Sequence, residues 1–125
     1  MVIEIDLSSD TPLYQQIRDQ IILGIGRGEL AFGEQLPSVR QLAEDLEVNP
    51  MTVSKAYQVL KQDGVIEVDR RIGTKVKDRP DNTMAADYKE RLEILLGEGL
   101  AKTDDVQGFI KKINELLADL AEGRE

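Results

Sequence analysis

Cysteine and histidine are both missing from this 125-residue chain. Without cysteine there are no disulfide staples, thiolate ligands or thiol nucleophiles; without histidine there are no imidazole ligands, no Ser-His chemistry and no histidine pH switch. Most enzyme classes fall with them, and no metal or other cofactor is expected. Long apolar runs are missing too, since nothing approaches the roughly 20 residues that cross a bilayer. The opening Met1-Val2-Ile3-Glu4-Ile5-Asp6 lacks the basic start of a secretory signal. A cytoplasmic protein with no membrane partner is the expectation. Aspartate and glutamate, by contrast, number 24. They fall mostly on the polar faces of amphipathic helices with no sign of a pocket, which argues against a carboxylate enzyme.

Aromatic residues are scarce, at 4%, and the apolar share of 41% must be spread over a short chain. Such a chain suits one domain with an appendage, or a very small domain with a pairing element, and a second subunit helps it finish burying its apolar faces. The net charge of -8 argues at first against DNA, whose affinity comes largely from neutralised phosphates. Its distribution matters more. Ser38 to Lys77 holds seven basic against six acidic residues, whereas the segment from Asp78 onward holds seven against twelve. The acid sits mainly outside the candidate reading head, where it either discourages indiscriminate DNA binding or simply keeps the protein soluble.

Thr11-Pro12 opens a helix over residues 12–27, with Thr11 as N-cap, Pro12 at N1 and Leu13, Ile17, Ile21 and Ile25 as its apolar stripe. Gly24 and Gly26 weaken the last turn or permit a close crossing. Ser38 caps a short helix carrying Val39, Leu42, Ala43 and Leu46. Asn49-Pro50 then starts a third, whose stripe of Val53, Ala56, Tyr57 and Leu60 stops at Asp63-Gly64. Two β-branched runs, Val65-Ile66-Glu67-Val68 and Thr74-Lys75-Val76, flank a basic tip and read as a hairpin. Helix, short helix, tight turn, helix, hairpin is the order of a winged helix-turn-helix.

Past Pro80 the pattern restarts. Met84, Tyr88, Leu92, Leu95 and Leu96 line one helical face, which Gly99-Leu100 would end. Thr103 caps a last helix with Asp104 and Asp105 in its first turn, and Val106, Phe109, Ile110, Ile113, Leu116, Leu117 and Leu120 recur at threes and fours. Two such helices alone make little core. They pack together, on the first unit, or on a second copy of the chain.

In a helix-turn-helix the third helix enters the major groove with its N-terminal side chains toward base edges. Asn49, Thr52, Ser54 and Lys55 stand there, off the apolar stripe. Asn pairs with adenine, Thr offers hydroxyl or methyl contacts, and Lys reaches guanine or phosphate; for Asn49 alone the cap is the favoured reading. Arg40, at the start of the preceding helix, suits phosphate or guanine, and Ser38 suits phosphate or capping. Arg70 and Arg71 at the hairpin tip suit the negative potential of the minor groove, or solubility alone.

Gly28-Glu29-Leu30, Leu36-Pro37-Ser38-Val39-Arg40-Gln41-Leu42-Ala43, Thr52-Val53 with Ala56, Gly64-Val65-Ile66 and Gly73-Thr74-Lys75-Val76 resemble the GntR family of bacterial regulators in order and spacing. The resemblance runs from about residue 10 to residue 77 and implies a winged helix-turn-helix dimer on palindromic, double-stranded operator DNA. Arg40, Asn49, Thr52, Ser54 and Arg70 match positions from which the family contacts DNA; Ser38, Lys55, Arg71 and Thr74 complete the candidate set. Phe32 stands where the family often has proline, Lys75 where it often has an aromatic, and Arg71 where glycine commonly opens the wing turn. Only about 48 residues follow Lys77, which looks like the short YtrA-like branch, resembling repressors with a dimerising helical hairpin that often act on membrane-transporter operons. A small-molecule effector between subunits is compatible with it.

The expectation is therefore a mainly α protein with a small β-hairpin wing. Residues 1–77 form the DNA-binding domain, and residues 78–125 a two-helix dimerisation and effector region. Tyr88, Leu92, Leu95, Phe109, Ile113, Leu116 and Leu120 face the partner subunit or the chain's own core. The rival from another class is a winged-helix adaptor that binds protein and not DNA.

Overall fold

The computed structural model describes residues 1–82 and 84–124. They fall into two compact units, residues 1–80 and 81–123. In the first, α1 (Leu13–Arg27), α2 (Val39–Leu46) and α3 (Pro50–Gln62) precede an antiparallel hairpin of β1 (Ile66–Asp69) and β2 (Gly73–Val76). The second holds α4 (Tyr88–Ala101) and α5 (Val106–Ala121). The winged helix-turn-helix order is present as read, and no described helix is long and apolar enough to cross a membrane.

One core serves the first unit. Ile17, Ile21 and Ile25 of α1, Leu42 and Ala43 of α2, and Val53, Ala56, Tyr57 and Leu60 of α3 meet Leu30, Leu36, Ile66 and Val76. Each helix contributes most of the stripe its spacing predicts: Leu13, expected at the head of the α1 stripe, is half-buried outside this cluster, and Val39 and Leu46 are half-buried against it. Thr11 is not the cap of α1. Pro12 is, with no side-chain bond, and its carbonyl accepts from the amides of Gln15 and Gln16. Gly28 ends α1 in the left-handed conformation at φ 81°. The chain then doubles back, the Leu30 amide bonding the Gly24 carbonyl at 3.0 Å. A Cβ on Gly24 would stand 3.1 Å from Leu30 Cδ1, so this glycine makes room for the return of the chain.

Between α2 and α3 the turn takes only residues 47–49. Glu47 adopts φ 55°, unusual for a side chain with a Cβ, and the Val48 amide reaches back to the Ala43 carbonyl at 3.0 Å. The hairpin pairs Ile66 with Val76, Glu67 with Lys75, Val68 with Thr74 and Asp69 with Gly73. Residues 34–36 lie along its outer edge, with Leu36 N to Thr74 O and Val76 N to Glu34 O both at 2.8 Å.

An N-terminal arm crosses α1 without belonging to a sheet. Gln20 accepts from the Glu4 amide at 2.9 Å and donates to its carbonyl at 2.6 Å, while Gln16 does the same for Asp6 at 2.9 and 3.0 Å. One turn apart on α1, these two amides satisfy alternate residues of an extended chain much as a neighbouring strand would. Ile3 and Ile5 are thereby laid against the core.

In the second unit three expectations change. Gly99 lies inside α4, which runs on to Ala101. A Cβ there would collide with the Phe109 ring, so Gly99 is a packing glycine and not a helix stop. Met84 precedes the helix. The cap of α5 is Asp105, whose carboxylate accepts from the Gly108 amide at 3.0 Å; Thr103 instead bonds the Asp105 amide.

Two outcomes follow from these contacts. Replacing Gln16 and Gln20 together by alanine should release the arm, accelerating hydrogen exchange at the Glu4 and Asp6 amides by at least about tenfold and lowering stability by about 1–2 kcal/mol. Glu47→Gly should relieve the left-handed strain and raise the unfolding free energy by about 0.5–1 kcal/mol in urea titration, the gain being trimmed by the freer unfolded chain.

Candidate nucleic-acid interface

The N-termini of α2 and α3 are both fixed by their own side chains. Ser38 Oγ accepts from the Gln41 amide at 3.0 Å, and Asn49 Oδ1 from the Met51 amide at 2.8 Å. Both residues are exposed, so capping occupies one oxygen of each and leaves the rest of the side chain toward solvent. Tyr57 locks the two helices together: its hydroxyl donates to the Pro37 carbonyl at 2.7 Å, immediately before the α2 cap. Burial pushes this phenol well above its ordinary pKa, so it remains a donor throughout the physiological range.

Around this lock lies a shallow concavity. Val39, Ser54 and Tyr57 line one side, Val68 and Thr74 of the hairpin the other, and Gln58 and Lys61 continue it along α3. Ser54 and Thr74, distant in sequence, thus share one surface. Gln58 and Lys61 escaped the sequence reading, although they follow Ser54 at i+4 and i+7 on the same helical face. Thr52 is half-buried in the first turn of α3. Met51, beside it, is 77% exposed, an apolar side chain presented to solvent at the helix start.

Lys55 stands apart from that group. Its ammonium lies 4.0 Å from the centroid of the Tyr14 ring of α1, a cation–π contact on another side of α3. Arg40 is exposed in the first turn of α2, and Arg70 and Arg71 are exposed in the loop between β1 and β2. The side chains of these three arginines make no ion pair or hydrogen bond with another described residue.

The wing turn does without a glycine at position 71. Gly73 supplies the left-handed backbone at φ 91°, and the Asp69 carboxylate bonds the Arg71 amide at 2.7 Å. Gln35 Nε2 holds the Ile72 carbonyl at 2.6 Å. Lys75, on the strand behind, is 8% exposed. Its ammonium contacts Asp78 at 2.9 and 3.0 Å, Glu67 at 3.5 Å and Asp69 at 3.8 Å. The bond to Asp78, with the other two carboxylates adding, raises its pKa above the usual lysine value despite burial.

In the second unit none of the described helical residues is buried. Phe109 and Ile113 are half-buried where α5 meets α4, Phe109 seated at Gly99, and Leu120 is half-buried further along. Tyr88 and Leu92 are 43% exposed, Leu116 57% and Leu95 63%. An apolar groove runs between the helices, lined by Leu96, Leu100, Val106, Phe109, Ile110 and Ile113. Among the described residues no cluster of carboxylates has metal-binding geometry.

Comparison with known proteins fits this arrangement. The family model for bacterial regulatory proteins of the gntR family matches residues 13–76. The HTH-type transcriptional repressor YtrA of Bacillus subtilis (strain 168) is 34% identical over 128 residues, covering 99% of this chain and 98% of that protein. Among solved structures, a transcriptional antiterminator from Listeria monocytogenes EGD-e is similar at TM-score 0.82 and 28% identity, over 96% of this chain and 92% of that one. YtrA from Sulfolobus acidocaldarius, a GntR-family transcription factor, is similar at TM-score 0.67 and 41% identity, over 82% and 100%. With its reading head matched from α1 through β2, the chain belongs to the gntR family of bacterial regulatory proteins, in the YtrA-like branch, and is a transcriptional regulator and not an enzyme.

Proposed function

We propose that the chain is a repressor that binds a palindromic operator as a homodimer, its two α3 helices entering successive major grooves and its wings the flanking minor grooves. The observation that carries this reading is the set of unpaired arginines. In a chain with 24 acidic residues, Arg40, Arg70 and Arg71 have no ion partner among the described residues. Arginines held exposed and uncompensated on one small unit suit phosphate and base edges. Ser38, Asn49, Thr52, Ser54 and Thr74 add hydroxyl and amide groups on the same unit, and Gln58 and Lys61 extend the surface that Ser54 and Thr74 share. Lys55 contributes by leaving Tyr14 for a phosphate.

Pairing is proposed through the second unit. Two helices that leave Leu92, Leu95, Leu116 and Leu117 open to solvent have apolar area to bury, and a second copy offers the matching surface. Tyr88 and Leu120 belong to the same interface; Phe109 and Ile113 support it from between the helices. The groove beside them has apolar room for a small-molecule effector, and the branch resemblance points to genes of a membrane transporter as the regulated set. The dimer works in the cytoplasm.

Arg40→Ala should weaken binding to a duplex selected from a randomised pool by about 1–3 kcal/mol, read by fluorescence anisotropy at fixed salt; unchanged affinity removes Arg40 from the interface. Leu116→Asp should convert the dimer to monomer in sedimentation velocity at micromolar concentration, and a variant that stays dimeric relocates the pairing surface.

A further inference from the structure

We propose that Lys75 is a positioning residue for DNA binding: it is the counter-ion that keeps the hairpin carboxylates away from the wing arginines and from phosphate. This rests on the operator reading above.

Strand register creates the arrangement. Lys75 pairs directly across from Glu67, and Asp69 lies two residues further along the same strand, on the same face. Asp78 closes the cluster from beyond β2. The edge segment around Gln35 is bridged to Lys75 and runs alongside the strand. The ammonium of this largely buried lysine thus lies within 4 Å of three carboxylates, of which Asp69 directly precedes Arg70 in sequence.

Without that ammonium, the Asp69 carboxylate would stand uncompensated beside Arg70 and Arg71, which follow it directly in the chain. Both arginines are exposed on flexible stems at the end of the same hairpin, and neither is paired with a described residue. Asp69 is instead doubly occupied, by the Arg71 backbone amide at 2.7 Å and by Lys75 at 3.8 Å. The aspartate shapes the turn while its charge is answered from behind. Any uncompensated carboxylate here would also stand within a Debye length, about 10 Å at 0.1 M salt, of phosphates gripped by the wing. An uncharged side chain in place of Lys75 would fill the space but leave the charges unanswered.

The test uses the full chain and a duplex that the unsubstituted protein recovers from a randomised pool, with anisotropy measured across a salt series. Lys75→Met should weaken binding about tenfold at low salt, with the difference shrinking as salt rises. Lys75→Arg should stay near the parent. Adding Glu67→Gln and Asp69→Asn to Lys75→Met should restore affinity to within about threefold of the parent, because the asparagine side chain keeps the oxygen that shapes the turn. In the parent background the same pair should tighten binding, which keeps the idea exposed to refutation should Lys75→Met fail to fold. Equal affinity of parent and Lys75→Met overturns the inference alone. So does a folded triple variant, by circular dichroism and melting temperature, that binds as weakly as Lys75→Met at every salt concentration. Failure of the parent to recover any duplex overturns the operator reading and this inference together.

Discussion

The packing of one side of α3 carries the architecture. Val53, Ala56 and Leu60 are fully buried and Tyr57 nearly so, and they join α3 to α1, to α2 and to the base of the hairpin at once. Burying a side chain the size of Val53 or Leu60 is worth about 1.5–3 kcal/mol, so the four together fix the rotation of α3 about its axis far more firmly than any surface contact does. With that rotation set, Ser54, Gln58 and Lys61 must face outward. The polar surface offered to a ligand is the geometric complement of the apolar stripe.

Tyr57 converts this apolar constraint into an angular one. Its ring belongs to the core while its hydroxyl ends on the Pro37 carbonyl, so the approach of α2 is tied to a particular point on α3. The tight turn does the same from the other end, holding Glu47 in a backbone region that costs about 1–3 kcal/mol for a residue with a Cβ. Strain at that point is tolerated because Leu42, Ala43 and Val53 on either side over-determine the helix positions. Arg40 and the first turn of α3 thereby keep a fixed relation.

Much of this was legible in the sequence because the reading head is specified by local signals. Ser38 and Asn49-Pro50 mark helix starts by chemistry that works wherever it occurs, and the apolar spacing between them needs no tertiary information. The same local reading failed at Gly99, since a glycine near the end of a helical pattern serves equally as a stop and as room for a neighbour. What decides is the Phe109 ring, ten residues away and on another helix. Gln16 and Gln20 carry no pattern signal at all; an amide that pairs with the backbone of an arm looks like any surface glutamine. The concavity shared by Ser54 and Thr74 also depends on how the hairpin folds back, which spacing within either element cannot reveal.

Lys75 illustrates the difference between charge counted and charge placed. By composition the hairpin region is nearly neutral, and a departure from an aromatic at one strand position looks minor. The register sets that lysine opposite Glu67 and near Asp69 and Asp78, so one strand face holds acid answered by its ammonium while the loop beyond keeps its two arginines unanswered. An acidic protein meets a polyanion by such segregation: the hairpin carboxylates are neutralised internally, and residues 81–125, with six basic against eleven acidic residues, carry the larger share of the net negative charge. The total of -8 then says little about affinity at the wing, because beyond a Debye length salt screens it and within that length the local pairing decides.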